Sequence, residues 1–236
     1  MSKRLSSPIS SPQQIEFARK RLAKAVLSVY QLAPKRPQQA SKGWRSPDFI
    51  WRELLLSFST WGGTRGAGLV TDKKLYGRVT YAALERLTPT KREKILRDTL
   101  RDAKVRRYSI KTGLLLKNFD RVKAAGGPAK VKQQLTLCDG RDAKSKFLKS
   151  FHGIGDKYAR NLMMDVCHPD FSESIALDVR VNKFLKALGV VAFLPGYRQK
   201  ESFLVSAAHE ADLNGWQLDR MLFNHTECLL AALDKT

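Results

Sequence analysis

Cysteine is scarce in this 236-residue chain: Cys138, Cys167 and Cys228 are three in all, and no two stand in C-x-x-C spacing. That excludes a disulfide framework and leaves the three expected as reduced thiols in the core. Histidine is nearly as rare, and His168, His209 and His225 are not spaced as a metal pair. No apolar run approaches the length of a membrane span, and the start, MSKRLSSPISSPQQ, lacks the apolar core of a signal peptide. The expectation is a soluble, intracellular protein with no membrane partner. Alternation of apolar and polar residues over a useful strand length is absent, as is any internal repeat, so the fold class expected is all-α. Acid is the last shortage, with 22 Asp and Glu against 43 Lys and Arg. A surplus of 21 positive charges exceeds what solubility needs and points to a polyanionic partner, nucleic acid first and an anionic membrane second.

What is there suffices for a core, since 43% of the residues are apolar. Ser2 to Gln14 reads as a frayed leader. A basic amphipathic helix is expected over Ile15 to Leu32, with Phe17, Leu22, Val26, Val29 and Tyr30 inward. Pro34 to Pro47 reads as a linker. Asp48 to Trp61 is apolar on nearly all sides, the mark of a central helix, and ends in the glycine-rich Trp61-Gly62-Gly63-Thr64-Arg65. Helices are expected over Leu75 to Leu87, Thr90 to Lys104, Val105 to Val122 and Pro128 to Leu137. Between Lys91 and Lys111, Arg97, Arg101, Lys104 and Lys111 can share a side, either as a solvated face or to track phosphates. Two closing helices are expected, Ser202 to Ala211 and Trp216 to Leu233.

The chain is organised around Phe151 to Gly189. Gly153-Ile154-Gly155 is followed at once by Asp156, Lys157 and apolar residues at helical spacing, Tyr158, Leu162, Met163 and Val166. Asp142 to Phe151 can form the preceding helix, its apolar side supplied by Ala143, Phe147, Leu148 and Phe151. The unit is therefore helix, hairpin, helix. Glycines let backbone N–H groups approach a ligand, and a helix start adds unpaired donors with a partial positive charge, so a phosphate oxygen is the natural guest.

The stretch resembles the helix-hairpin-helix superfamily of DNA base-excision glycosylases, whose signature is a Gly-aliphatic-Gly hairpin, a Lys two residues on and an Asp about twenty residues later. Gly153, Gly155, Lys157 and Asp178 stand at those positions. The resemblance implies a bifunctional glycosylase and abasic-site lyase acting on double-stranded DNA that contains a damaged base, with oxidised guanine preferred, and a monomer. Lys157 would attack C1′ of the sugar, aided by the helix dipole that disfavours its ammonium form, and Asp178 would stabilise the sugar cation. His152, Gly153, Ile154 and Gly155 would contact DNA, as would Trp61, Thr64 and Arg65 from the loop after the central helix. No cofactor is expected, because the clustered C-terminal cysteines of the iron–sulfur members are missing. A monovalent cation on hairpin carbonyls, near His152 and Ile154, is implied by resemblance alone.

Each residue also has a plainer reading. Lys157 could simply touch phosphate, Asp178 could be a helix N-cap, and Trp61 could lie in the core beside a glycine turn. Readings that remain open are a monofunctional glycosylase and a non-catalytic helix-hairpin-helix DNA-binding protein. Two domains are expected, one of residues 1–46 with 167–236 and the other of residues 47–166, ending in the hairpin unit.

Overall fold

The computed structural model describes residues 11–236, less the side chains of Ser11 and Thr64. Among the described residues there is no strand, and the fold is all-α. In chain order the helices are α1 (Ser11–Ser28), α2 (Lys42–Arg45), α3 (Phe49–Thr60), α4 (Gly68–Thr71), α5 (Lys73–Val79), α6 (Tyr81–Glu85), α7 (Pro89–Asp102) and α8 (Tyr108–Ala124). They continue as α9 (Pro128–Leu137), α10 (Gly140–Lys149), α11 (Asp156–Met164), α12 (Val179–Ala187), α13 (Tyr197–Glu210), α14 (Gly215–Asn224) and α15 (Thr226–Leu233). The chain divides into two compact units, one joining the N-terminal part as far as Gln38 to Pro169–Thr236 and the other running from Gln39 to His168.

In the first unit α1 lies against α13 and α15. Its buried stripe is Ala18, Leu22, Ala25, Val26 and Val29, which meets Phe184, Leu204, Leu218, Leu222 and Leu229 in one core. These positions recur at steps of three and four and so form a single helical face. Phe17 and Tyr30, expected to face inward, lie off that stripe and are exposed. The frayed leader expected over Ser2 to Gln14 falls mostly outside the described residues, but from Ser11 onward the chain is already helical.

The second unit is built on α3, as its all-round apolarity predicts. Phe49, Ile50, Trp51, Leu54, Leu55 and Phe58 are each at most 1% exposed, and each such side chain contributes about 1.5 to 3 kcal/mol on leaving water. Trp51 keeps its polar edge satisfied by donating Nε1–H to Val79 O at 2.7 Å. That acceptor exists because the helix expected over Leu75 to Leu87 is broken. Thr80 leaves the helical region, and its hydroxyl caps α6 by accepting from Ala83 N. Packing also reaches into the expected linker, where Ser41 N–H donates to Val166 O and Trp44 meets Phe49 and His168 edge-on. In the first unit the last expected helix is likewise two, α14 and α15, parted at His225. The thiols are not core groups: Cys138 and Cys167 are half-buried and Cys228 is exposed.

Candidate active site

The hairpin forms as its sequence predicts. Helix α10 ends at Lys149, Phe151 N–H returns to Leu148 O, and Ile154 N–H closes the turn on Phe151 O at 3.1 Å. Phe151 and Ile154 are buried while His152, Gly153 and Gly155 face solvent. Gly153 has φ +78°, and a Cβ there would lie 2.9 Å from Phe58 Cζ, so both conformation and contact require glycine. Gly155 is different: a Cβ on it would meet nothing within 4 Å. Its open face suits a guest from outside the chain.

Which amides remain for such a guest follows from the bonding. His152 N–H donates to Asn118 Oδ1 at 2.8 Å, and Asn118 Nδ2 returns a bond to His152 O at 2.9 Å. Ile154 N–H is used within the turn, and its side chain is 5% exposed. Two of the expected DNA contacts thus have their backbone donors occupied, which leaves the N–H groups of Gly153, Gly155 and Asp156 as candidate donors for a phosphate. A cation held by the His152 carbonyl would have to share it with the Asn118 N–H.

Asp156 opens α11, with Lys149 Nζ 2.8 Å and Arg160 Nη1 3.4 Å from its Oδ1. The hydrogen bond from Lys149, more than the opposing effect of burial, holds its carboxyl below the usual range. Its negative charge is therefore offset where an anion would approach. Lys157 stands next in the first turn of α11 and is half-buried. Its Nζ lies 4.4 Å from the centre of the Tyr158 ring, a face that attracts a cation.

Asp178 sits in the other unit as the N-cap of α12, so its plainer reading holds. Oδ1 accepts from Arg180 N at 2.8 Å and from Val181 N at 3.0 Å. Both bonds fall on the same oxygen. A capping carboxylate therefore still presents its second oxygen, and the two roles are compatible.

Loop Trp61–Arg65 belongs to the second unit with the hairpin. Trp61 is 39% exposed, which removes the core reading, and Arg65 is exposed too; the Thr64 side chain lies outside the described residues. Phe58 connects loop and hairpin, since it packs under Gly153 and its ring centre is 6.0 Å from that of Trp61.

Helix α8 holds both loops, a role that no sequence pattern revealed. Near its start Lys111 Nζ donates to Trp61 O at 2.6 Å, and just before it Arg106 Nη1 donates to Gly62 O at 2.9 Å. Burial, with Arg106 and Arg107 adding repulsion, pulls the Lys111 amine down to about 8. Two turns further on are Asn118 and then Arg121, whose guanidinium binds Ser150 O and Oγ at 2.9 and 2.7 Å. The apolar period of α8 records its packing, and its polar anchors look like ordinary surface residues in sequence. A buried Asn is the one available signal, and burial is not legible from a single chain.

Part of the basic run from Lys91 to Lys111 is ion-paired along α7. Arg97 pairs with Glu93, while Lys94 and Arg101 pair with Asp98 at 2.7 and 3.1 Å. Among the described residues no group of three or more His, Cys, Asp or Glu could hold a metal ion. No helix described is long and apolar enough to cross a membrane.

No protein-family model matches the chain, and no curated protein sequence matches it either. Among solved structures it is similar to the crystal structure of Methanocaldococcus jannaschii 8-oxoguanine DNA glycosylase, with a TM-score of 0.65 at 15% identity. That likeness covers 93% of this chain and 97% of the other. The chain shares the all-α fold of that glycosylase.

Proposed function

We propose that the protein is a DNA glycosylase with abasic-site lyase activity, which removes a damaged base, oxidised guanine foremost, from double-stranded DNA. The observation that carries this reading is Lys157 in the opening turn of α11, directly after a hairpin whose Gly155 face is open. The fold likeness to an 8-oxoguanine DNA glycosylase supports it, as does the surplus of 21 positive charges.

In this reading the hairpin grips a phosphate through the N–H groups of Gly155 and Asp156, and the nucleotide turns out of the stack so that its sugar can be reached. Lys157, as the neutral amine, attacks C1′ while the bond from C1′ to the base breaks. The base leaves with the electron pair and takes up a proton. Asp178 offsets the positive charge that builds on the sugar, and accepts the proton that the new C1′–N bond forces off the amine. Opening of the sugar gives an imine, loss of a C2′ proton expels the 3′-phosphate, and water then frees the lysine. Trp61 and Arg65 contact the duplex beside the extruded nucleotide.

A set of duplexes, each with one defined lesion, assayed with and without alkali, identifies the substrate. Borohydride during turnover is expected to trap a covalent adduct that maps to Lys157, and Lys157→Gln is expected to lose both adduct and strand cleavage. An adduct at any other lysine refutes the assignment. Tight duplex binding without base release from any lesion leaves a DNA-binding protein instead.

A further inference from the structure

Between Phe171 and α12 the chain runs without regular structure through Ser172 to Asp178. Most connections of this kind lie at the surface, where water serves their amides. This one does not, since Ser174 and Ile175 are 0% exposed and Ala176 5%. A buried irregular segment must find a partner for each N–H outside itself, and here three successive amides find one each. Ile175 N–H donates to Glu201 Oε1 at 3.1 Å, and Ala176 N–H donates to Asp219 Oδ1 at 2.8 Å. Leu177 N–H donates to the Tyr197 hydroxyl at 3.0 Å, which in turn donates to Ile175 O at 2.9 Å.

The partners come from rigid elements. Tyr197 and Glu201 are one turn apart on α13 and so share a face, and Asp219 lies on α14. Upstream, Trp216 N–H donates to Ser172 O at 2.8 Å, while His209 Nε2 and Gly215 N lie 2.9 and 3.2 Å from Glu173 Oε2. At Gly215 a Cβ would stand 2.9 Å from Glu173 C and Ser174 N, so only glycine permits this approach. Glu201 and Asp219 are 3% and 4% exposed. Burying carboxylates is costly unless hydrogen bonds compensate, and here those bonds tie the segment that leads into Asp178 to α13 and α14.

We infer that Tyr197, Glu201 and Asp219 are positioning residues that fix the Asp178 carboxylate. The cradle holds the backbone up to Leu177, one residue before Asp178, and the capping bonds to Arg180 and Val181 hold it from the other side. For its activity readout the inference rests on the glycosylase reading, in which a misplacement of about 1 Å can cost about a hundredfold in rate.

Tyr197→Phe is the sparing test, because it deletes one oxygen and leaves the ring. Three quantities are measured: amide hydrogen exchange at Leu177, Arg180 and Val181, affinity for a duplex with one 8-oxoguanine, and single-turnover base release in the parent and Asp178→Asn backgrounds. The expected result is faster exchange at all three amides, unchanged affinity, and base release lowered about tenfold in the parent but not in Asp178→Asn. Glu201→Gln, which keeps an acceptor for Ile175 N–H, is expected to stay within about threefold of the parent. Unchanged exchange at Arg180 and Val181, parental base release by Tyr197→Phe, or equal loss in both backgrounds overturns the inference. If the parent releases no base from any duplex, the glycosylase reading falls and the exchange result alone decides the positioning role.

Discussion

Alanine in place of Gly153 sets a Cβ 2.9 Å from Phe58 Cζ on a backbone at φ +78°. Left-handed strain and overpacking together are expected to cost about 2 to 4 kcal/mol, read as a lower melting temperature. Gly155→Ala meets no neighbour within 4 Å and needs no unusual φ. It should melt like the parent yet bind duplex DNA more weakly, because the methyl group would stand where the proposed phosphate contact is made. Equal duplex affinity for Gly155→Ala and the parent would remove the hairpin from the binding site. Asp178→Asn separates fold from chemistry in the same way, since Asn caps α12 as well as Asp does. Its melting temperature is expected to match the parent while base release falls by orders of magnitude.

At the level of elements, α8 is the part on which both loops depend. From Lys111 to Arg121 it spans about 15 Å at 1.5 Å per residue, with the Trp61 loop bound at one end and the hairpin at the other. Asn118→Leu leaves the N–H and carbonyl of His152 without the partner they have now. A loss of about 1 to 3 kcal/mol is expected, together with faster amide exchange at His152 and weaker duplex binding. If the variant lost stability while the His152 amide kept its protection, the Asn118 bonds would not be what orders the hairpin.

Charge and acid–base behaviour belong to the whole molecule. With a net charge of +21, duplex affinity is expected to fall steeply with salt, each phosphate contact adding about 0.9 to the slope of log K against log salt. Arg97→Ala and Arg101→Ala should leave that slope nearly unchanged, because both side chains are already paired with acids on α7. Stability should also depend on pH through Glu53. Burial first, then repulsion from Asp165, pushes its carboxyl up to about 7 against the opposing pull of Arg52. The folded state therefore holds a proton that the unfolded state releases above about 4.5. Stability is expected to decline as pH rises from about 4.5 to 7, and the full penalty persists above that. Glu53→Gln should flatten this decline, measured by denaturant unfolding at pH 5 and pH 8.

Residues that act through local chain geometry were legible in the sequence. The Gly153-Ile154-Gly155 turn, Lys157 in the first turn of the next helix, Asp178 as a cap and the central apolar α3 all follow from backbone conformation and short-range period. The break at Thr80 was not, because a side-chain cap and the Trp51 bond to Val79 O outweigh an unbroken helical pattern. Nor was the exposure of Phe17 and Tyr30, since an apolar residue beside a stripe reads like one within it. The site divides along the same line. Asn118 holds His152 across 34 residues, and Asp219 holds Ala176 across 43. Such bonds are fixed by how helices pack, and packing brings together residues whose distance along the chain carries no sign that they will meet. The sequence alone determined which groups are candidates for chemistry; only the tertiary structure decided what holds them in place, because that support comes from polar side chains whose burial no local pattern encodes.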